Sequence, residues 1–343
     1  MSDGMAVLGF HASHEQIAPS ELLTAVQHAE AAGFEAAMCS DHFMPWSQRQ
    51  GHSGFAFSWL GAALASTRFT IGSVCAPGQR YHPAVVAQAA ATLGEMFEGR
   101  YWMALGAGQN MNEHITADPW PPEEVRRQRL EESAELIRRL HTGEWIHHHS
   151  GHTQMQDAYI YDRSQTPVPL YAACISPESA RRAAAWADGM ITVNQPEAAH
   201  RETLSAYREA GGAGPVMLQV HLSWAETRQQ AEEIADHQWR THTFGPRWIR
   251  TCPHRSTSTP PQRISRSRRC WIRCGPQNPR SSTPSGLPRR LSSVTPSTST
   301  TSGSSSADGW TWQVSRSSQL CDDRFGRTRR EDVTSAHEDH RDR

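Results

Sequence analysis

The sequence predicts an α/β protein with the (β/α)8 architecture of a TIM barrel, and three observations support this prediction. Apolar segments of strand length alternate with amphipathic segments of helix length from residue 5 to residue 244. The strand segments are apolar almost throughout, which is typical of a parallel sheet covered by helices. Seven of these βα units fit into about 240 residues, which favours a barrel of eight strands over an open sheet.

The first part of the pattern contains four strands, predicted at residues 5–10, 35–40, 69–75 and 101–108. Ser20 is predicted to cap the first helix, and Gly33 to end it. The segment SWLGAALAS predicts a short helix before the third strand. A helix over residues 83–97 begins with proline, at a position where the missing N–H costs little. A helix of several turns follows the pair Pro121-Pro122 and ends near Gly143.

Residues 144–166 interrupt the alternation as an insertion, in which the pair Ser150-Gly151 predicts the turn of a β-hairpin. Three further strands are predicted at residues 169–174, 189–194 and 215–224. No eighth βα unit is recognisable after them. We therefore expect a barrel in which seven units are present and the eighth is missing.

The chain changes character near Arg247. Residues 1–247 carry the barrel pattern, whereas residues 248–343 are rich in Ser, Thr, Pro and Arg without lasting periodicity, which predicts a disordered tail. A second interpretation is a shifted reading frame. The chain has 34 Arg and no Lys, which indicates a GC-rich gene. If the reading frame is shifted by one nucleotide, residues 293–303 decode to a turn followed by a strand of alternating apolar and polar residues. Resequencing the gene tests this interpretation, and an intact original frame would contradict it.

Composition narrows the class of function. The net charge is -1, so the chain lacks the excess of basic residues that is typical of proteins binding nucleic acid or a membrane surface. No apolar run reaches the roughly 20 residues that span a bilayer, and the N-terminus lacks a signal-peptide pattern. Cys39, Cys75 and Cys174 lie in apolar strand segments and are predicted to be buried thiols. We expect a cytoplasmic enzyme that acts on a small molecule.

Chemistry in such a barrel is expected at the C-terminal ends of the strands. The second strand ends in SDHFMPW, the third in GSVCAPGQRYHP and the fourth in GAGQNMNEHI, and the strand at residues 169–174 runs into CISPES. An Asp, a His, a Trp, an Asn and a Gly-x-Gly turn are thus predicted to share one rim.

These segments, together with GHSGFAFSW and WADGMITVN, resemble the bacterial luciferase-like superfamily. Within it, the chain is similar to oxidoreductases that use FMN or the deazaflavin coenzyme F420. The resemblance covers residues 5–244 and stops where the tail begins. It implies a luciferase-like (β/α)8 barrel with an insertion segment, an isoalloxazine ring bound at the C-terminal rim, and a homodimer once the barrel is complete.

The resemblance also implies roles for individual residues. The catalytic roles fall on His42 as the proton-transferring group, on Trp46 as a wall of the substrate pocket, and on Gln109. Residues 73–75 would form a bulge of the third strand, which in relatives often holds a strained cis peptide bond under the ring. The implied cofactor-binding positions are Asp41, His42, Ser73, Val74, Cys75, Gly106, Ala107, Gly108, Asn112, Ile175 and Ser176. The last two precede a helix start, where free N–H groups favour a phosphate.

Each role has a plainer alternative. His42 could belong to a capped loop, the glycines to a tight turn, Trp46 to the core, and Asn112 to a helix cap. The histidines of residues 147–152 resemble metal ligands. In a strand, however, neighbouring side chains point to opposite faces, and no acid or cysteine completes a site. We expect a solvated hairpin there and no metal.

Two departures from the family pattern bear on the substrate. Relatives that oxidise sugar phosphates carry Glu at the position of Gln109, and an amide cannot exchange a proton near neutral pH. They also bind the substrate phosphate with Lys, and this chain contains none. A sugar-phosphate dehydrogenase is therefore not expected. The segments GFHASHEQ and CSDHF favour an FMN-dependent monooxygenase or reductase. The alternatives are an F420-dependent hydride-transfer enzyme and an inactive, truncated barrel.

Overall fold

Eight parallel strands close into a barrel surrounded by helices. The computed structural model describes residues 6–239 and the backbone of residues 310–315, all within one compact unit. The strands are β1 (Leu8–Ala12), β2 (Ala36–Ser40), β3 (Thr70–Cys75), β4 (Tyr101–Leu105), β5 (Ile146–His149), β6 (Gln154–Ala158), β7 (Leu170–Ala173), β8 (Gly189–Val193), β9 (Val216–His221) and β10 (Trp310–Ser315). The helices are α1 (Pro19–Ala31), α2 (Ala56–Ser66), α3 (Pro83–Met96), α4 (Asn110–Glu113), α5 (Glu123–His141), α6 (Pro177–Ala183), α7 (Glu197–Glu209) and α8 (Arg228–Trp239).

The strand order around the barrel is β1-β10-β9-β8-β7-β4-β3-β2, and β5 and β6 form a separate antiparallel hairpin. The (β/α)8 fold class is therefore confirmed, and so are the seven strands predicted before residue 225. The hairpin lies inside the predicted insertion. Its turn is closed by the N–H of Ser150, which donates to the carbonyl of Thr153 at 3.0 Å.

The eighth strand lies where the sequence analysis found none. β10 pairs in parallel with β1 through Leu8 and Trp312, and with β9 from Trp310 opposite Val216 onwards. The segment WTWQVS does alternate apolar and polar residues, but six residues are too few to stand out in a Ser- and Arg-rich stretch. The eighth unit is thus represented by its strand. The rest of residues 248–343, including the decoded run at 293–303, lies outside the described residues.

The helix ends follow local chemistry, with one correction. α1 begins at Pro19, preceded by Ala18, so Ser20 lies inside the helix and does not cap it as predicted. Proline at the first helical position already has a helical φ and no N–H that needs a partner. α5 has acidic residues in its first turn and basic residues in its last turn, which complements the helix dipole. Gly143, with φ 83°, follows its end as predicted.

Two apolar layers lie on the two faces of the barrel sheet. Strand residues such as Trp102 and Met38 fill the interior. Alternate strand residues face outward and pack against the helices in a larger cluster that includes Leu22, Leu60 and Ile137. Cys39, Cys75 and Cys174 are buried, unpaired thiols, which confirms their prediction. Within the described part of the chain, no helix is both long and apolar enough to cross a bilayer.

Gly72 is required by the packing of the barrel interior, and we predict that Gly72→Ala destabilises the protein. A Cβ at residue 72 would lie 2.1 Å from the indole of Trp102, which is 9 % exposed and enclosed by the barrel strands. Overpacking of this kind costs roughly 1–3 kcal/mol. The free energy of unfolding, measured by chemical denaturation, checks the expected loss.

The matched control is Gly61→Ala in α2, where an added Cβ would meet no atom within 4 Å. Alanine is the better helix former, so this variant should be neutral or up to about 1 kcal/mol more stable. Equal stabilities of the two variants would contradict the packing argument.

Candidate active site

The ends of β1 and β2 place a carboxylate beside a histidine. The two strands pair in parallel with Ala12 opposite Cys39, so the residues that follow each strand are neighbours at the rim. Oε1 of Glu15 lies 3.1 Å from Nδ1 of His42. Glu15 is 2 % exposed, and His42 is half-buried. The carboxylate therefore interacts with the imidazole on the side away from solvent.

Hydroxyl groups and His42 keep Glu15 ionised despite its burial. Its Oε2 accepts hydrogen bonds from Oγ of Ser40 at 2.6 Å and Oγ of Ser13 at 2.8 Å. Burial by itself raises the pKa of this carboxyl, but the charge of His42 and these hydrogen bonds outweigh burial and lower the pKa to about 2. Glu15 therefore places a buried negative charge 3.1 Å from Nδ1 of His42 and helps to orient the imidazole.

Trp46 packs against His42, with ring centres 4.8 Å apart and planes at 54°. The backbone N–H of Trp46 donates to Oε1 of Gln50 at 2.9 Å, which fixes the loop that carries both rings. Gln109 precedes α4, and its Oε1 accepts from Nδ2 of Asn112 at 3.3 Å. The structure therefore brings two of the three predicted catalytic residues into direct contact and attaches the third to Asn112.

Asn112 joins the loop after β2 to the loop after β4. Its Oδ1 accepts hydrogen bonds from the backbone N–H groups of Phe43 and Met44, each at 3.1 Å. Asn112 is 4 % exposed. It thus positions the backbone next to His42, while a direct contact between Asn112 and a cofactor stays a prediction.

Asp41 is held by protein groups on both of its carboxylate oxygens. Oδ2 accepts from Nη2 of Arg80 and Oδ1 from the hydroxyl of Tyr81, both at 3.0 Å. Burial raises the pKa of Asp41, and the charge of Arg80 and the hydrogen bond from Tyr81 oppose this rise. The backbone N–H of Arg80 also donates to Oε2 of Glu113 at 2.8 Å. Sequence reasoning missed this arrangement, although APGQRYHP was among the rim segments.

β3 is regular, so the bulge implied by the resemblance is wrong. The strand pairs without a register shift to both neighbours, and no cis peptide bond occurs within residues 6–239 and 310–315. Oγ of Ser73 is hydrogen-bonded to the Tyr101 hydroxyl at 2.7 Å, and Sγ of Cys75 lies 3.6 Å from Sδ of Met103. Both side chains therefore point outward from the barrel, towards the helices, as regular strand alternation requires. Among residues 73–75, Val74 packs with the interior cluster.

In the Gly-x-Gly turn after β4, the second glycine meets a conformational requirement and the first does not. Gly108 has φ 77°, which favours glycine. The N–H of Gly106 donates to the carbonyl of Cys75 at 2.9 Å. A Cβ at residue 106 would make only ordinary contacts, at 3.6 Å from Cβ of Ala173. The protein's own packing therefore does not force glycine at 106.

Ile175 and Ser176 lie at the start of α6, as predicted. The N-terminal N–H groups there are partly bonded to side chains of the helix itself. Oγ of Ser176 accepts from the N–H of Ser179, and Oγ of Ser179 accepts from the N–H of Ser176, which together form a capping box. Ile175 is 37 % exposed. These hydrogen bonds satisfy two of the N–H groups that a phosphate would use, so the phosphate role stays a prediction.

A chain of neutral polar groups lies across the barrel mouth, and sequence reasoning missed it. Nδ1 of His221 donates to Oδ1 of Asn194 at 2.9 Å, so Nε2 of His221 accepts. Nε2 of Gln219 donates at 3.4 Å both to that nitrogen and to Nδ1 of His11. Burial lowers the pKa of both histidines to about 4. The available signal was a Gln and a His at alternate positions of an otherwise apolar strand, β9.

The hairpin histidines do not converge. His147 and His149 are exposed, whereas Nε2 of His148 lies 2.9 Å from Oε1 of Glu132. Over residues 6–239 and 310–315, no group of three or more His, Cys, Asp or Glu side chains is arranged to hold a metal ion.

The barrel fold agrees with the family that the chain matches. The luciferase-like monooxygenase model matches residues 3–268, and the chain belongs to this family. It is similar to the F420-dependent glucose-6-phosphate dehydrogenase of Beutenbergia cavernae, at 43% identity over 212 residues, 61% of this chain and 63% of that protein. The chain thus spans less than two thirds of that relative's length.

The chain is also similar to several solved structures, among them the following two. An F420-dependent secondary alcohol dehydrogenase in complex with an F420-acetone adduct is 30% identical with a TM-score of 0.64, covering 68% of this chain and 74% of that one. A monooxygenase from Streptomyces bottropensis is 21% identical with a TM-score of 0.58, covering 70% of this chain and 79% of that one. The second likeness shows the fold alone.

Buried histidines make the stability of the protein depend on pH, and we predict acid destabilisation that begins near pH 6.5. Burial lowers the pKa of His11, His14 and His221 to about 4 from 6.5. Their contribution to stability is complete above pH 6.5 and is lost as the pH falls towards 4, because the unfolded chain then binds more protons. Each histidine contributes on the order of 3 kcal/mol at most. The melting temperature measured from pH 7.5 to 4.5 checks this.

His14→Phe isolates one of these groups. His14 is fully buried edge-on to Trp59, with ring centres 5.1 Å apart, and the substitution removes its titration while keeping a ring. We expect a shallower loss of melting temperature below pH 6.5. His28→Phe, at an exposed position of α1, is the matched control. An unchanged slope in His14→Phe would contradict the assignment.

Proposed function

We propose that the chain is an oxidoreductase that uses the deazaflavin coenzyme F420 to transfer a hydride to or from a small hydroxy or carbonyl compound. The observation that carries this proposal is the Glu15–His42 pair at the barrel mouth, 3.1 Å between carboxylate and imidazole, with Trp46 packed on His42. The F420-dependent relatives support the cofactor. They favour the deazaflavin alternative over the FMN-dependent reading of the sequence.

We infer that the rim would hold the flat heteroaromatic ring of the cofactor. Gly106 leaves a space that a Cβ could occupy without a clash, and small side chains such as Ala173 and Val74 lie near it in the barrel interior. The neutral chain from Asn194 to His11 offers donors and acceptors for the polar edge of a ring. When bound, the deazaflavin supplies a ring carbon that accepts or releases a hydride. Residues 106–108 would lie against the ring, and His42 would lie at its reacting side.

His42 supplies the proton chemistry that a hydride transfer needs. When an alcohol loses hydride from carbon, its hydroxyl proton must leave as well, and His42 accepts that proton in this proposal. Glu15, whose pKa of about 2 keeps it ionised, places a negative charge 3.1 Å from the imidazole ring that takes up the proton. Trp46 covers one side of the imidazole and limits access of water. In the reverse direction, His42 returns the proton to the carbonyl oxygen.

The substrate we propose carries no phosphate. Gln109 stands where sugar-phosphate oxidising relatives have Glu, and its amide oxygen accepts from Asn112. The chain contains no Lys to bind a phosphate. The similar secondary alcohol dehydrogenase, with its F420-acetone adduct, supports a small neutral alcohol or ketone. A homodimer and a cytoplasmic location belong to the same proposal.

Cofactor and substrate are tested together with the full chain. We expect F420 to bind with a change in its fluorescence and FMN to bind at least tenfold more weakly. We expect bound F420 to be reduced, with loss of its visible absorbance, by a secondary alcohol such as 2-propanol and not by glucose 6-phosphate. Tight FMN binding with oxygen consumption would contradict the cofactor assignment. Reduction by glucose 6-phosphate alone would contradict the substrate class.

His42→Asn should separate proton transfer from binding. The amide keeps a hydrogen-bonding group beside Glu15 but cannot carry a proton, so we expect turnover to fall by about 10² to 10⁴ with little change in F420 affinity. Steady-state kinetics and fluorescence titration measure the two effects. His52→Asn, at a half-buried loop position outside the pair, is the control. Unchanged turnover in His42→Asn would make His42 a structural residue.

A further inference from the structure

The last turn of α8 lies at the mouth of the barrel and contacts three parts of it. The ring of Trp239 is 4.7 Å from the ring of His221, at the end of β9, with the two planes at 58°. Oε1 of Gln238 accepts a hydrogen bond from Nε2 of Gln16, in the loop after β1, at 3.2 Å. The backbone carbonyl of Gln238 accepts another from Nε2 of Gln50, in the loop after β2, also at 3.2 Å. In this docked position, one turn of helix reaches from β9 to the loops after β1 and β2.

Gln50 uses both ends of its side-chain amide. Its Oε1 accepts from the backbone N–H of Trp46 at 2.9 Å, and its Nε2 donates to the carbonyl of Gln238. Gln50 is 3 % exposed, and a buried N–H group that loses its acceptor is costly. The orientation of this amide therefore depends on α8. Since the same amide holds the backbone of Trp46, the position of Trp46 depends on α8 as well.

The docked turn is held less firmly than the helices that pack on the barrel. None of the 12 residues of α8 is buried, whereas α3 buries residues along its whole length. Trp239 is half-buried, so undocking would expose little apolar surface beyond part of its ring. The two hydrogen bonds to Gln238 can be replaced by hydrogen bonds to water at small cost. A segment with so few buried contacts is among the first to open in a native protein.

We propose that Gln50 is a positioning residue that holds Trp46 in place only while the last turn of α8 is docked, so that docking completes the wall of the substrate pocket. This rests on the function proposed above, in which Trp46 covers His42. Displacement of a pocket wall weakens the productive binding of a small substrate. The cofactor ring would lie on residues 106–108, in the loop after β4, so its affinity should depend little on α8.

Hydrogen exchange tests the coupling without reference to turnover. Gln238→Met removes the acceptor of Gln16 and changes no residue of the loop after β2. Loss of one hydrogen bond from the docked turn should raise the exchange rate of the Trp46 N–H by about threefold to tenfold. Gln50→Met removes the acceptor of that N–H directly and should raise the rate at least as much. Mass spectrometry of the full chain, with fragmentation that resolves this amide, measures both rates.

Gln229→Met is the matched control, with the same substitution on the same helix. Gln229 is exposed, and its Nε2 donates to Oε1 of Glu233. This variant should leave exchange of the Trp46 N–H unchanged. An increase in Gln50→Met without an increase in Gln238→Met would overturn the coupling, and so would an equal increase in Gln229→Met. Should Gln50→Met fail to fold, which circular dichroism reveals, Gln238→Met and its control decide the outcome.

A kinetic arm tests the link to the substrate pocket. We expect Gln238→Met to raise the KM for 2-propanol by about threefold to tenfold, with little change in kcat or in the affinity for F420. A purely structural role would lower kcat at constant KM through loss of folded enzyme. That result, or an unchanged KM, would overturn the claim that docking completes the pocket. Wild-type protein that does not oxidise 2-propanol at all would overturn the proposed function, and the exchange rates would still decide the coupling.

Discussion

One buried guanidinium, that of Arg80, connects three loops at the rim of the barrel. Its Nη2 donates to both the carbonyl and the carboxylate of Asp41, after β2, and its backbone N–H donates to Glu113, after β4. Arg80 itself follows β3. The side chain is 6 % exposed, so removal of either Asp41 or Glu113 would leave a buried positive charge with only one carboxylate beside it. His42 follows Asp41, and Asn112 precedes Glu113, so the positions of both depend on this interaction.

The mouth of the barrel has a charged side and a neutral side. Glu15 provides the charge next to His42, whereas burial keeps His11 and His221 uncharged near neutral pH. Gln219 connects the two neutral imidazoles. The negative charge of Glu15 therefore lies beside His42, and the rest of the wall offers neutral donors and acceptors. That division suits a reaction that moves one proton and one hydride on a neutral substrate.

The preference for FMN came from residues that do not distinguish the two cofactors. In GFHASHEQ, His14 is buried against Trp59, and Glu15 interacts with His42. CSDHF contains Asp41, which binds Arg80. These residues hold His42 and the rim loops in place, and none of the contacts depends on which of the two cofactors is bound. These residues therefore give no ground to prefer FMN, and the F420-dependent relatives support the alternative that the sequence analysis kept open.

The sequence by itself determined the seven βα units before residue 225, the hairpin and the rim that carries His42, Trp46 and Asn112. Apolar periodicity and turn residues are local features, so they can be recognised in the sequence of each segment. The partner of His42 could not be predicted in this way, because Glu15 lies 27 residues away in the chain. Only the parallel pairing of β1 with β2 brings the two side chains together.

Only the tertiary structure decided which way side chains face. Ser73 and Cys75 were predicted beside the cofactor, but strand alternation directs them into the outer layer, where Tyr101 and Met103 are their partners. β10 likewise has no local signature strong enough to predict it, because its pairing with β1 and β9 joins residues more than 90 positions apart. Contacts of that separation depend on barrel closure, a property of the whole sheet that no single segment encodes.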